Sequence, residues 1–317
     1  YQELLDRRKR LEYTRLKTAG TFGRPIDLAP TIAIGIGAHV PLFRTRRSAY
    51  DACQPDFAEN ILRYIEYGRA NSITAAESLT GPQNDRSSPM AQAASLLRVV
   101  SVEAGGVRIS GAKSVGSIAA QTNEVMFTNL GYKGTPPEAC IWGALPINAE
   151  GIKLVSREML SQPGADPFDH PLTRKGEEAD QLIIFDNVFV PKDRIFNLGD
   201  PSLLELSGKV TTWAHWHVLT RLAVKAELFV GCGQIVLDVL GTGQIPAVQA
   251  MLAELIEYAQ VLKSFVISAE VPARHLETGI LAPATNPAPY TPLTMPPLYP
   301  LSLSAASVSL YHILAHH

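Results

Sequence analysis

Residues 81–89 read GPQNDRSSP, and between the two prolines stand an amide (Gln83), a carboxylate (Asp85) and a guanidinium (Arg86). Such a set can aim donors at an oxygen that gains negative charge, with the carboxylate orienting the guanidinium. Taken alone, the same run reads as a turn carrying a surface Asp85–Arg86 ion pair, with Gln83 an ordinary turn residue. Further on, GAKSVGS at 111–117 gathers Gly111, Ser114, Gly116 and Ser117; by itself this is strand-end turn chemistry. The three cysteines, Cys53, Cys140 and Cys232, are widely spaced and form no CxxC pair, so neither a disulfide framework nor a metal site is expected. That usage fits a reducing cytoplasm.

The elements that must position these residues fall into three zones. A chain of 317 residues, 46% hydrophobic and 18% charged, buries a large core, and its formal charge of −2 gives no general attraction to nucleic acid. No membrane span is expected, because the most apolar stretch, 222–240, is broken by Lys225, Glu227 and glycines. Residues 1–70 show helical spacing, with Leu4, Leu5, Leu11 and Leu16 on one side and Phe57, Ile61, Leu62 and Tyr64 later. From 71 to 200 the texture is that of short strands, LLRVVSVEAGGVRISGAKSV, EVMFTNLGY, ACIWGALPI and QLIIFDNVFVP, with a hairpin turn at 103–106. Residues 201–317 return to helical spacing, and GTGQIP at 241–246 separates two long helices expected to pair antiparallel. The many prolines after about residue 279 exclude a regular helix there. These zones give a helical domain 1–70, a β domain 71–200 and a helical domain 201–317, the last expected to be incomplete. No GxGxxG follows a strand, so no binding of NADH by this chain is expected.

Helices, a β domain and helices again is the order of an acyl-CoA dehydrogenase-like flavoprotein, an α+β fold. GPQNDRSSP, VRISGAKSVGS at 107–117, DPFDHPLTRKGEEADQLIIFDNVFVPKDRIF at 166–196 and WAHWHVLTRLAVKAELFVG at 213–231 together resemble the 4-hydroxyphenylacetate 3-hydroxylase family. The resemblance runs from GRPID at 23 to AVQAMLAELIEY ending at 258. It implies an oxygenase component of a two-component flavin monooxygenase. Such a protein takes reduced flavin, FADH2 or FMNH2, from a separate NAD(P)H-dependent flavin reductase. It forms a C4a-hydroperoxide with molecular oxygen and hydroxylates a phenolic or electron-rich aromatic compound. A homodimer or homotetramer is implied as well. Family members are longer at both ends, and this chain opens on YQELLDRRKRLEYTRL with its first methionine at Met90, so a processed, truncated or incompletely traced product is expected. 4-Hydroxybutyryl-CoA dehydratase, in the same superfamily, adds an iron–sulfur cluster; no cysteine near His215 or His217 supports that reading.

Carried over residue by residue, the resemblance places Gln83 on the substrate hydroxyl or the peroxide and Arg86 at the reacting edge of the flavin, with Asp85 orienting Arg86 or capping a turn. The ring rests on GAKSVGS, with Ser114, Gly116 and Ser117 as cofactor-binding residues, backbone amides and the Ser117 hydroxyl facing its polar edge. Arg24 belongs to the phenol pocket, but Leu28 stands where the family has a tyrosine. Glu77 stands where the family commonly has a histidine. Glu77 reads as a replacement base, as an exposed helix-end residue, or as a partner for Arg24. His215, six residues before Arg221, reads as an acceptor for the phenolic proton or as a satisfied histidine at a helix start. His170 in FDHPL reads as a loop lock. Leu28 and Glu77 together favour larger neutral or cationic aromatics over a small acidic phenol. The other readings are an acyl-CoA dehydrogenase-type oxidoreductase, with Glu254 or Glu257 as base, and a flavin-fold remnant without catalysis. Arg86→Ala is expected to remove a charge-assisted hydrogen bond of about 1.5–3 kcal/mol and to shorten the lifetime of the peroxide in stopped-flow spectra. Unchanged lifetime and flavin affinity in the folded variant assign the loop to structure.

Overall fold

The computed structural model describes residues 2–17, 28–83, 95–130, 135–160, 164–171, 173–175 and 177–284. Helices form where apolar residues recur at helical spacing: α1 spans Gln2–Lys17, α2 Leu28–Ala38, α3 Val40–Arg44 and α4 Phe57–Ala70. In α4, Phe57, Ile61 and Tyr64 lie on one face and are buried. Asp56 caps that helix by accepting the Glu59 N–H at 3.0 Å. The buried Asn60 amide donates to the carbonyls of Lys192 and Ile195 at 2.8 and 2.9 Å, which fastens α4 to the β region.

Strands β1 (Ala75–Ser78), β2 (Arg98–Glu103), β3 (Gly106–Ser117), β4 (Glu124–Thr128), β5 (Ile141–Pro146), β6 (Ile152–Ser156), β7 (Asp180–Pro191) and β8 (Ile195–Leu198) form two four-stranded sheets. One runs β1-β4-β5-β8, the other β2-β3-β7-β6. Only the β1–β4 pairing within them is parallel. The expected hairpin is present, with Glu103 opposite Gly106. Phe127 of the first sheet and Phe185 of the second meet at 5.3 Å between ring centroids, inside a core that also takes in Ile36, Phe43 and Phe57 from the helices. Because Glu77 pairs with Met126, the two side chains share a sheet face. Leu28 packs as a partly buried member of the same core.

After two short helices, α5 (Pro201–Glu205) and α6 (Ser207–Val210), the chain enters α7 (Thr212–Leu240) and α8 (Pro246–Glu270). These pack along each other as expected, and Gly241 (φ +64°) ends α7 in the left-handed conformation that glycine tolerates. α1 lies against this pair through Leu4, which is fully buried, and Leu11. The Arg8 guanidinium pairs at 2.9 Å with Glu270, which also accepts from the Trp216 indole at 3.1 Å. Leu5 is half-buried, and the Leu16 side chain lies outside the described residues. A short antiparallel pair, β9 (Arg274–His275) and β10 (Leu281–Ala282), follows α8 and was not legible as strand. The proline-rich stretch lies outside the described residues, which include no helix long and apolar enough to cross a membrane.

Candidate active site

Two adjoining clefts open where the segment after β1 passes the end of β3. Glu77, Leu28, Ser114, Val115 and Ser117 line one, of about 280 Å³. Gly81, Gln83, Leu97, Lys113 and Asn129 line the other, of about 440 Å³. Leu79 and Thr80 form part of both linings. The fold therefore brings Leu28, Glu77, Ser114 and Ser117 to one cavity and Gln83 to its neighbour. Asp85, Arg86 and Arg24 lie outside the described residues. His215 lines neither cleft; it sits half-buried on α7, and burial lowers its pKa. His170 closes a turn through its backbone, whose N–H donates to the Asp166 carbonyl at 2.9 Å. Glu254 and Glu257 are exposed on α8, so neither presents a base to these clefts. No group of three or more metal-type side chains gathers among the described residues.

Glu77 is 8% exposed, and neither carboxyl oxygen has a hydrogen-bond partner among the described residues. Burial pushes its pKa up to about 8, so at neutral pH it is a neutral acid that can donate as well as accept. Of the openings left by the sequence, the exposed helix-end position is the one the fold removes: Glu77 is buried on a strand.

The GAKSVGS segment is the outer part of β3, and it is not regular. Its register against β7 slips between Lys113 and Gly116, a bulge that turns Ser114 and Val115 towards the first cleft. The Ser114 hydroxyl donates to the Gly81 carbonyl and its N–H to the Thr80 carbonyl, both at 2.9 Å, binding the opening loop to the bulge. The Ser117 hydroxyl donates to Asp180. Gly116 is a packing glycine, since a Cβ there would come within 2.6 Å of the Ile183 side chain. Val115 carries φ +60° while 56% exposed, a strained state for a β-branched residue held at the rim of a cavity. Val115→Gly is expected to raise the stability measured by urea unfolding by roughly 1 kcal/mol, the reverse of the usual cost of glycine in a strand. A loss of stability would show that the bulge is unstrained.

Lys113 was not singled out in the sequence, although it lies within the motif. It is 1% exposed and in phase with the inward residues Val107 and Ile109 of β3. An inward lysine on a strand was the available signal. Burial lowers its pKa to about 7. The carbonyl oxygens it donates to, from Leu79 at 2.8 Å and Asn129 at 2.5 Å, favour the ammonium and oppose that shift.

The site thus defines a class: a helix–β–helix chain whose β1 end and β3 bulge enclose polar groups in an apolar wall. Residues 1–197 match the sequence model described as 4-hydroxyphenylacetate 3-hydroxylase N terminal, and residues 206–304 match its C-terminal counterpart. The chain belongs to the 4-hydroxyphenylacetate 3-hydroxylase family. It is 34% identical over 228 residues to 2,4,6-trichlorophenol monooxygenase of Cupriavidus pinatubonensis, which covers 71% of this chain and 44% of that protein. It is 30% identical over 288 residues to the 4-hydroxyphenylacetate 3-monooxygenase oxygenase component of Thermus thermophilus, covering 89% of this chain and 57% of that protein. A crystal structure of such an oxygenase component, complexed with FAD and 4-hydroxyphenylacetate, superposes with a TM-score of 0.82 at 25% identity, over 95% of this chain and 62% of that one. The chain spans about half the length of the curated relatives it matches. An archaeal 4-hydroxybutyryl-CoA dehydratase shares the fold, with a TM-score of 0.75 at 16% identity over 90% of this chain and 56% of that one.

Proposed function

We propose that this chain is the oxygenase component of a two-component flavin monooxygenase that hydroxylates a phenolic or electron-rich aromatic substrate. The observation that carries the reading is the pair of adjoining clefts, in which a buried carboxyl with no hydrogen-bond partner among the described residues (Glu77) and a buried amine (Lys113) stand either side of the Leu79–Thr80 wall. Leu28 and Leu79 supply apolar contact, while Gln83, Ser114 and Lys113 supply polar atoms. This combination suits a planar ring system with carbonyl and N–H groups along one edge. Reduced FAD, when bound, supplies the two electrons needed to activate dioxygen, and FMN offers the same ring.

The chain's own residues hold and orient. The Gln83 amide fixes the ligand edge, Ser114, whose hydroxyl and N–H already donate to the Gly81 and Thr80 carbonyls, can only accept there, and the apolar walls keep water out. Glu77, neutral at pH 7, holds a proton at its carboxyl beside the aromatic substrate, and Leu28 leaves room for a ring larger than 4-hydroxyphenylacetate. Arg24, Arg86 and Asp85 keep the roles that the family resemblance implies, and His215, which lines neither cleft, is read as a satisfied histidine at the start of α7. A separate NAD(P)H-dependent reductase delivers the reduced flavin, and the chain acts as a homodimer or homotetramer in the cytoplasm.

The test mixes the anaerobic protein and reduced FAD with oxygenated buffer containing a panel of phenols, under ¹⁸O₂, and identifies products by mass spectrometry. One atom of ¹⁸O per hydroxylated ring is expected, with no NADH oxidised by the protein alone. Bound reduced flavin that only reoxidises slowly, without labelled product, would favour the acyl-CoA dehydrogenase-type reading, and no binding of flavin would favour the remnant reading. NADH oxidation as fast as hydroxylation would overturn the two-component one.

A further inference from the structure

A further cleft, of about 600 Å³, opens between the end of α2, the start of α7 and the β9–β10 pair. Leu28, the first residue of α2, lines the candidate active site, whereas Ala38, its last, lines this cleft. At a rise of about 1.5 Å per residue the two openings lie about 15 Å apart along the helix. The walls are tied together, since the Trp213 indole donates to the Leu281 carbonyl at 3.0 Å and the Thr278 hydroxyl to the Ala38 carbonyl at 3.1 Å. The shape is thus set before any ligand arrives. Trp213, 4% exposed, and Leu276 give the cleft flat apolar walls, and the His39 ring meets the indole edge-on at 5.9 Å between centroids. Lys209 and Arg274 line the same cleft, and neither has an ion-pair partner among the described residues. Against these two cations the lining sets one carboxylate, Glu277. The continuation of the chain at 285–317 contains no Asp or Glu, so it brings no side-chain carboxylate to them. Positive charge is left over for a ligand.

We propose that this cleft binds an aromatic carboxylate, at a site separate from the candidate active site and independent of flavin. The Arg274 guanidinium can take both carboxylate oxygens through parallel N–H donors, and Lys209 adds a second charge without demanding a particular geometry. The aromatic body lies against Trp213 and Leu276, where burial of apolar area adds to the charge pairing. A cleft of about 600 Å³ has room for more than one ring. Inorganic phosphate would satisfy the cations but leave those walls wet, so it is the combination of charge and flat apolar surface that selects an aromatic acid.

The experiment is a calorimetric titration of the full chain, without flavin, with naphthoate and, separately, with the neutral naphthylmethanol, in wild type, Lys209→Gln and Arg274→Gln. Both side chains are exposed, so the variants are expected to fold, and circular dichroism checks that they do. Wild type is expected to bind naphthoate saturably and at least about tenfold more tightly than the neutral alcohol, and each substitution to weaken the acid about tenfold while leaving the alcohol unchanged. No saturable binding of naphthoate by wild type overturns the assignment. An affinity for the acid that is unchanged in either folded variant also overturns it, by placing the probe elsewhere, the active-site clefts included. Displacement of naphthoate by an equal concentration of inorganic phosphate would show a plain anion site and overturn the aromatic acid as its ligand.

Discussion

Glu77→Gln is expected to flatten a large pH dependence of stability. In the unfolded chain this carboxyl titrates near its ordinary value of 4.5; in the folded protein it holds its proton to about 8. The folded pKa is the raised one, so the contribution of Glu77 to stability is fully present below about 4.5 and is lost as the pH rises to about 8. The loss approaches about 5 kcal/mol at high pH, because each unit between the two values is about 1.4 kcal/mol. Urea unfolding of wild type and Glu77→Gln from pH 5 to pH 9 isolates it: the difference is expected to widen in favour of the glutamine as the pH rises. A constant difference would mean that the carboxyl is already ionised in the fold. The same titration governs recognition. Below about 8 the neutral acid tolerates a carboxylate on the substrate, and above it the carboxylate repels one. Binding of 4-hydroxyphenylacetate is therefore expected to weaken by roughly tenfold or more across that pH in wild type and to stay level in Glu77→Gln. A size-matched cationic phenol should show the opposite trend. An anionic phenol preferred at every pH, unaffected by the substitution, would remove Glu77 from the substrate pocket.

Gly111→Ala is expected to cost about 3–5 kcal/mol, combining a strained backbone with a contact that cannot relax. Gly111 has φ +142°, and a Cβ there would lie 2.5 Å from the Leu97 Cα and 2.6 Å from the Leu96 carbonyl oxygen, both main-chain atoms. Relief requires β3 to part from the start of β2. Leu97 lines the larger cleft and its carbonyl accepts from Asn129, so that movement unseats the partner of Lys113. Affinity for reduced FAD should fall along with the urea midpoint. The contrast is Gly68→Ala on α4, where a Cβ meets nothing within 4 Å; there about 0.5–1 kcal/mol of stabilisation is expected. Equal effects at the two glycines would show that the β2–β3 approach is looser than its geometry implies.

How much of this was legible beforehand depends on the range of the forces involved. The long helices α4, α7 and α8, the β2–β3 hairpin and the turn at Gly241 follow from periodicity and local backbone preference, which the order of residues carries directly. The family likewise followed from separated motifs in a fixed order, and with it the convergence of Leu28, Glu77 and the GAKSVGS segment, which share one cleft. Other features depended on contacts remote in sequence. Ser117 and Asp180 meet across the β3–β7 pairing, and Lys113 finds Leu79 and Asn129 only after three strands assemble. The inward phase of Lys113 along its strand could be read in the sequence, but the oxygens that receive its amine could not. Glu77 could be read as surface or base from the sequence; desolvation by packing between β1 and α2 decides its charge, and no local pattern encodes that. The short β9–β10 pair was hidden for the same reason, because two-residue strands carry no period. The amino-acid order by itself determined the family, the order of the main helices and strands and the approach of Leu28, Glu77 and the 111–117 segment to one cleft. Only the tertiary structure decided which of their charged groups are buried, and therefore which are neutral, because desolvation depends on everything that surrounds a group.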